Sequence, residues 1–359
     1  MTFDGADETL VLLRRSVRGL LERRWPAGAA LHLADDPEAV ARLWREAATM
    51  GLTALGDRAG AGGVGAALVV LEELGRAACP LPVLGSLIAT AALGGASEDV
   101  ARALRQGLSD GADAIAVGFG RAAGERGGGV VTAAISGDAG QSQLHGRVRY
   151  VEGLPFCTRV LVAARPGPLL AVVDAGNPAL RAVPTPGLAV PALTDVVLDG
   201  VPILGAWEIA DERLDELVLL ARLACTARGL GAAQRAFELA LDHARTRQQF
   251  GSPIGRFQAV QHRLADCATL RDAVSLLVGR AAHAVDTGAD WHAQASAAAA
   301  FAGPALRRIA RESQHVLAGV GYIEEHEAPR HFRRVHADTL RFGGAPAGRA
   351  ELAADLLDS

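Results

Sequence analysis

Along the first third of the chain, apolar residues recur at helical spacing. The run ETLVLLRRSVRGLLERRW keeps that period, and DPEAVARLWREAATMGL follows it with Asp36 placed as an N-cap ahead of an amphipathic stretch. GVGAALVVLEELGRAACPLP supplies an apolar helix that must end before Pro80 and Pro82. The pattern predicts helices from residue 7 to about 110.

Between about 113 and 205 the period shortens. DAIAVGFG, SQLHGRVRYVEG, TRVLVAARPG, LLAVVDAG and LTDVVLDGV are short β-branched or alternating runs punctuated by Gly, Pro, Asn and Asp. The intervals are too short for crossover helices, so an antiparallel sheet or barrel is expected. After Pro202 the helical period returns. DERLDELVLLARLACTARGLGAAQRAFELALDHARTR runs on for roughly 35 residues, about 50 Å at the usual rise, until QQFGSPIG interrupts it. FQAVQHRLADCATLRDAVSLLVGRAAHAVD carries Phe257, Val260, Leu264, Cys267, Val274, Leu277 and Val278 near heptad spacing. A third, Ala-rich helix contains Pro304, where a kink is expected. The fold class is therefore α+β, with a helical domain over 1–112, a β domain over 113–205 and a helical bundle over 206–359.

Composition sharpens this picture. Half of the residues are hydrophobic but only 4% are aromatic, so Ala, Leu and Val must fill the interior and helices can approach closely. All 36 basic residues are Arg, set against 40 Asp and Glu, which leaves no basic footprint for nucleic acid. Cys79, Cys157, Cys225 and Cys267 are widely spaced in apolar surroundings, as reduced thiols would be. No apolar run is long enough for a membrane span, and MTFDGADETL lacks the character of a signal peptide; a cytoplasmic protein is expected.

The richest chemistry lies at 244–266, in ARTRQQFGSPIGRFQAVQHRLAD. Arg247 falls at the end of one helix, Gly251 and Pro253 turn the chain, and Phe257 and Gln258 open the next helix. Such a corner offers a cation, an aromatic face and an amide to a phosphate-bearing aromatic ligand. Its plainer reading is a capped helix with Phe250 and Phe257 in the core.

The composite pattern R-x-Q-F-G-x-P-I-x-x-F-Q-x-x-Q-H resembles the acyl-CoA dehydrogenase family, and HVLAGVGYIEEHEAPRHFRR resembles that family's Gln-x-x-Gly-Gly-x-Gly-Phe segment and the Arg beyond it. The likeness spans the chain: helical domain, central antiparallel β domain, four-helix bundle. It implies an FAD gripped across two subunits. Arg247 would contact the pyrophosphate, Gln249 and Phe250 would shape the ribityl and adenine surroundings, Gln258 would contact the adenosine half, and Phe257 would belong to the same cofactor site. Ala318, Gly319 and Gly321 would admit the cofactor to the backbone, unless they serve only as a helix C-cap. His315 stands where the family carries Gln. The implied reaction is α,β-dehydrogenation of an acyl-CoA or related thioester, with electron-transferring flavoprotein as acceptor.

The resemblance also marks departures. The family's catalytic Glu would fall at about Phe342 or Ala221, and neither is acidic. The nearest carboxylates are Glu216, Asp338 and Glu324 or Glu325, each of which would need a shifted register or a displaced loop to serve, and a relocated base would add Glu152 to the candidates. The flavin-lining Thr-Glu-Pro-x-x-Gly-Ser-Asp segment is replaced by AVGFGRAAGE, and the family's Trp-x-Thr by Tyr150-Val151-Glu152, where an ordinary strand aromatic is preferred over a ring stacked on the flavin. The losses lie on the substrate side and the adenosine corner is kept. This imbalance resembles heteromeric actinobacterial acyl-CoA dehydrogenases, in which one chain of an α2β2 pair holds the base and the other completes the cofactor site. Two other readings stand beside it: a homomeric flavoenzyme with a relocated base or other flavin chemistry, and a flavin-free scaffold. The acyl cavity would be lined from LPVLGSLIATAAL and from residues 217–224.

Overall fold

The computed structural model of the chain describes residues 8–26, 29–56, 62–120, 129–134, 142–165, 168–185 and 190–358. The start of MTFDGADETL and the latter half of AVGFGRAAGE lie outside the described residues.

The helices α1 (Glu8–Arg24), α2 (Ala29–His32), α3 (Pro37–Thr49), α4 (Val64–Arg76), α5 (Val83–Ala92) and α6 (Glu98–Ser109) come first. Asp36 caps α3 as its sequence position suggests, accepting hydrogen bonds from the N–H groups of Glu38 at 2.9 Å and Ala39 at 3.3 Å. Then come the strands β1 (Ile115–Gly118), β2 (Gly129–Ala134), β3 (Gln143–Glu152), β4 (Arg159–Ala164), β5 (Leu169–Asp174), β6 (Leu180–Pro184), β7 (Leu193–Pro202) and β8 (Gly205–Glu208). They form two four-stranded sheets, β1-β4-β5-β8 and β2-β3-β7-β6.

Every pair in these two sheets is antiparallel except β1 with β4, which is parallel. No crossover helix is needed for that pair, because β2 and β3 occupy the connection and belong to the other sheet. Inward-facing Leu144, Val148, Val160, Val162, Val173, Val196 and Leu198 make a continuous apolar core. Each such side chain contributes about 1.5–3 kcal/mol of transfer free energy.

The bundle consists of α7 (Asp211–Thr246), a short hairpin β9 (Gln248–Gln249) and β10 (Ser252–Pro253), then α8 (Gln258–Thr287), α9 (His292–Leu317), α10 (Ala328–Asp338) and α11 (Gly344–Asp358). Gly288, with φ +71°, ends α8 in the left-handed cap that allows the tight return into α9. Pro304 does not end α9, which continues as one 26-residue helix. Of the α8 positions at heptad spacing, Leu264, Cys267, Val274 and Val278 are buried, whereas Phe257 is exposed.

Chain contacts divide the molecule into two compact units, each assembled from separate stretches: Met1–Asp35, Leu68–Cys79 and Arg222–Ser359 in one, Asp36–Ala67 and Pro80–Ala221 in the other. In the first unit α4 and α7 touch backbone to backbone. A Cβ on Gly75 would sit 1.9 Å from the Arg228 carbonyl oxygen, and one on Gly231 would sit 1.8 Å from that of Glu72. Only glycine permits that approach. Nearby, α1 is tied to α4 by Arg14 and Arg18, whose guanidinium groups donate to Glu72 and Glu73 at 2.8–3.0 Å.

Candidate functional site

The corner after α7 is built by its backbone. Phe250 (φ 53°) and Gly251 (φ 79°) are both left-handed, the conformation of a type I′ turn, so β9 and β10 close as a two-residue hairpin. Ile254 N–H donates to the Arg247 carbonyl at 2.8 Å, and the Gln261 side-chain amide donates to the Gly255 carbonyl at 2.9 Å. With the backbone satisfied internally, the side chains turn outward. Arg247, Gln249, Phe250, Phe257 and Gln258 are all exposed, Phe250 by 93%. The rings of Phe250 and Phe257 meet edge to face at 6.1 Å. The plainer expectation of two core phenylalanines therefore does not hold: Phe250 sits at the tip of the hairpin and Phe257 at the mouth of α8, and both are exposed. Arg247, Gln249 and Gln258 make no side-chain hydrogen bond or ion pair with any described residue.

The second predicted segment lies at the other end of a neighbouring helix. His315 is exposed in the last turn of α9, its Nδ1 3.9 Å from a Glu312 carboxylate oxygen. Ala318 follows with φ 53° and ψ −137°, a region natural to glycine. Gly319 is open, with nothing within 4 Å of where a Cβ would stand. Gly321 is different, since a Cβ there would come within 3.0–3.1 Å of Gln314 and Leu317, and the buried Gln314 amide donates to the Gly321 carbonyl at 2.8 Å. Its smallness thus serves an internal turn. Ala318 and Gly319 are the positions that face outward.

Glu312 shows how the two segments are related. It accepts from Arg263 of α8 at 2.7 Å, so the start of α8 and the end of α9 lie side by side. The predicted residues therefore gather at one end of the bundle. His243, one turn before Arg247, belongs to the same end, and burial, Arg247 and His326 together hold its pKa below the usual histidine value. Neither histidine stands out as part of a motif in the sequence. The only hint is that His243 precedes Arg247 by four residues on a helix.

The candidate carboxylates divide sharply. Asp338 is buried and bound by Arg228, Nε to Oδ2 at 3.0 Å and Nη2 to Oδ1 at 2.6 Å. Glu216 pairs with Arg213, and Glu324 pairs with Arg333 at 2.7 Å while remaining 70% exposed. Glu325 is exposed and Glu152 half-buried. Phe342 is buried and left-handed (φ 51°); its carbonyl accepts from Arg222 at 2.8 Å, and the Arg341 guanidinium lies 4.6 Å from its ring centre. Ala221 is fully buried.

In the β domain, Tyr150 is not an ordinary strand residue. It has φ 64° at the register shift between Val148 and Val151, with the Arg149 guanidinium 5.0 Å from its ring centre. The bulge re-aims it out of the regular alternation. LPVLGSLIATAAL forms α5, which is buried along most of its length, and residues 217–224 are buried as well.

Comparison with known proteins agrees with this architecture. Benzylmalonyl-CoA dehydrogenase of Aromatoleum aromaticum is 30% identical over 368 aligned positions, covering 96% of each chain. The chain belongs to the acyl-CoA dehydrogenase family. Residues 7–108 match the acyl-CoA dehydrogenase N-terminal domain and residues 207–354 the C-terminal domain. Among solved structures, the ChsE4–ChsE5 complex of Mycobacterium tuberculosis superposes with a TM-score of 0.86 at 25% identity, covering 100% of both chains. A variant of the Tcur3481–Tcur3483 steroid ACAD superposes with a TM-score of 0.85 at 28% identity, covering 98% of each. Two other curated relatives are matched over only 61% and 38% of their own length. The family is one of oxidoreductases, and among the described residues no helix is long and apolar enough to cross a membrane.

Proposed function

We propose that this chain is the cofactor-completing subunit of an FAD-dependent acyl-CoA dehydrogenase, acting with a second dehydrogenase-like chain that supplies the catalytic base for α,β-dehydrogenation of an acyl thioester. The observation that carries the reading is the solvent-facing corner: a guanidinium, two carboxamides and an aromatic tip held by a hairpin, the polar side chains hydrogen-bonded to no described side chain. Groups held outward in this way suit a ligand that arrives from outside the chain.

The donor set fits FAD. Arg247 would hold the pyrophosphate through charge-assisted hydrogen bonds, Gln249 and Gln258 would serve the polar edges of the ribityl and adenosine parts, and Phe250 and Phe257 would cover the adenine face. Ala318 and Gly319 would let the main chain come close, and His315 would stand in for an amide. When bound, the flavin supplies the hydride acceptor. The chain's own contribution is to grip and orient the nucleotide end.

The lack of an acid where the family's base would fall supports the two-chain form: those positions are Phe342 and Ala221, and the nearby Asp338 is committed to Arg228. Abstraction of a weakly acidic α proton requires a positioned base, so it would come from the partner. The likeness to the ChsE4–ChsE5 complex, an assembly of two different chains, is in keeping with a heteromer. Electron-transferring flavoprotein is the fitting acceptor and the cytoplasm the fitting compartment.

The test is to purify the chain alone and together with the product of an adjacent dehydrogenase-like gene, then measure flavin absorbance and dye reduction with acyl-CoA substrates. The pair should be yellow and active, and the single chain inactive. Full activity of the chain alone would overturn the two-chain assignment, and a colourless pair would overturn the flavin assignment.

A further inference from the structure

We propose that His243 and His326 complete the anion site around Arg247, so that a phosphate-bearing ligand binds there together with a proton. The proposal rests on the cofactor reading above and extends it to residues that no motif marks.

The geometry comes from two elements of one compact unit. Arg247 N–H donates to the His243 carbonyl at 2.8 Å, which places the two side chains one turn apart on the same face at the end of α7. His326 arrives from the segment before α10. That segment is anchored to α7 by Glu327, which accepts from Arg235 at 2.6 and 3.1 Å. The N–H of Ala328 donates to His326 Nδ1 at 3.2 Å, so the ring hydrogen of neutral His326 must sit on Nε2, leaving a donor for a ligand.

The charged and titratable groups acting on His243 are Arg247 and His326. The acidic groups beside the cluster are engaged elsewhere: Asp242 pairs with Arg245 at 3.3 Å, and Glu327 holds Arg235 and, at 3.3 Å, His331. No carboxylate is among the charges acting on His243, and burial, with Arg247 beside it, keeps His243 unprotonated when the site is empty. The pyrophosphate of FAD, with one negative charge on each phosphate, reverses the balance. Its charge opposes that of Arg247, His326 offers it the Nε2 hydrogen, and His243 gains a partner for its protonated form.

The sign follows from linkage. Because His243 binds a proton more tightly in the complex than in the free protein, ligand affinity rises as pH falls through the interval above its depressed value, and levels off below it. The dependence approaches tenfold per pH unit where one proton is taken up.

The experiment uses the apo-protein in its native assembly and FAD as probe. Flavin fluorescence quenching gives Kd between pH 5.5 and 8, and calorimetry in two buffers of different ionisation enthalpy gives the protons taken up. Riboflavin, which has no phosphate, is the control. The expected result is a Kd for FAD that weakens at least tenfold towards high pH, net proton uptake near pH 7, and no such trend for riboflavin. His243→Gln should flatten the profile, whereas His326→Gln should weaken FAD severalfold and keep a slope. A flat wild-type profile with no proton uptake, or a slope that survives His243→Gln, overturns the proposal while leaving the FAD assignment standing. Absence of FAD binding at every pH overturns both.

Discussion

Replacing Asp338 with Ala separates a structural carboxylate from a catalytic one. The Arg228 and Asp338 side chains are 2% and 1% exposed, and two hydrogen bonds of 3.0 and 2.6 Å join them. Removing the carboxylate leaves a guanidinium buried without its counter-ion, which costs about 3–5 kcal/mol. At roughly 2 °C per kcal/mol for a chain of this size, the melting temperature should fall by about 6–10 °C. The double variant Arg228→Met with Asp338→Leu removes both charges and fills the space, and should recover most of the loss. Differential scanning fluorimetry on wild type, the single variant and the double variant, with circular dichroism to confirm folding, measures this. A single variant that melts within 1 °C of wild type, or a double variant as unstable as the single, would refute the role assigned to the pair. Loss of turnover with unchanged stability would return Asp338 to the list of candidate bases.

Three further outcomes are expected. Arg247→Gln should leave the melting temperature of the apo-protein nearly unchanged, because the side chain is exposed, yet weaken FAD by roughly ten- to hundredfold in a fluorescence titration. Ala318→Gly should stabilise the fold by about 1 kcal/mol in thermal melts, since it relieves a strained backbone at φ 53° and ψ −137° against a smaller entropic cost of glycine. Glu327 is the acid-sensitive group. Burial pushes its pKa up, but His331 and Arg235 overcome this and hold it at about 2, against an ordinary 4.5. A depressed carboxylate contributes stability that is complete above its unfolded value and is lost as pH falls from about 4.5 towards about 2. The contribution is about 3 kcal/mol. Urea melts at pH 7 and pH 3 should show the loss in wild type and much less of it in Glu327→Gln.

The order of elements was legible because period alone separates helices from strands: the 36-residue α7 and the capped α3 lie where their apolar spacing puts them. The parallel pairing of β1 with β4 was not, since it depends on which sheet the intervening strands join, a non-local choice that the runs themselves do not encode. The corner proposed for FAD was readable as a motif because turn formers and side chains are local to one stretch of chain. Local sequence left Phe250 open between core and surface, and its place at the tip of the β9–β10 hairpin puts it outside. The environments of Asp338, Gln314 and His243 were hidden because each depends on a partner brought in by tertiary packing: Arg228 from α7, the Gly321 carbonyl, and His326. A carboxylate among candidate bases and a carboxylate locked to a buried arginine look alike in one dimension.

The meeting of α4 and α7 at Gly75 and Gly231 has a consequence for how this sequence can vary. Where most contacts tolerate a methyl group more or less, these two sites have no permissible neighbour in the genetic code. A library diversified at both positions and sorted for soluble expression should return the starting codons' amino acid and nothing else, while the flanking leucines and valines drift. The two helices are registered by their main chains, so that register is insulated from whatever substrate preference selection later imposes elsewhere.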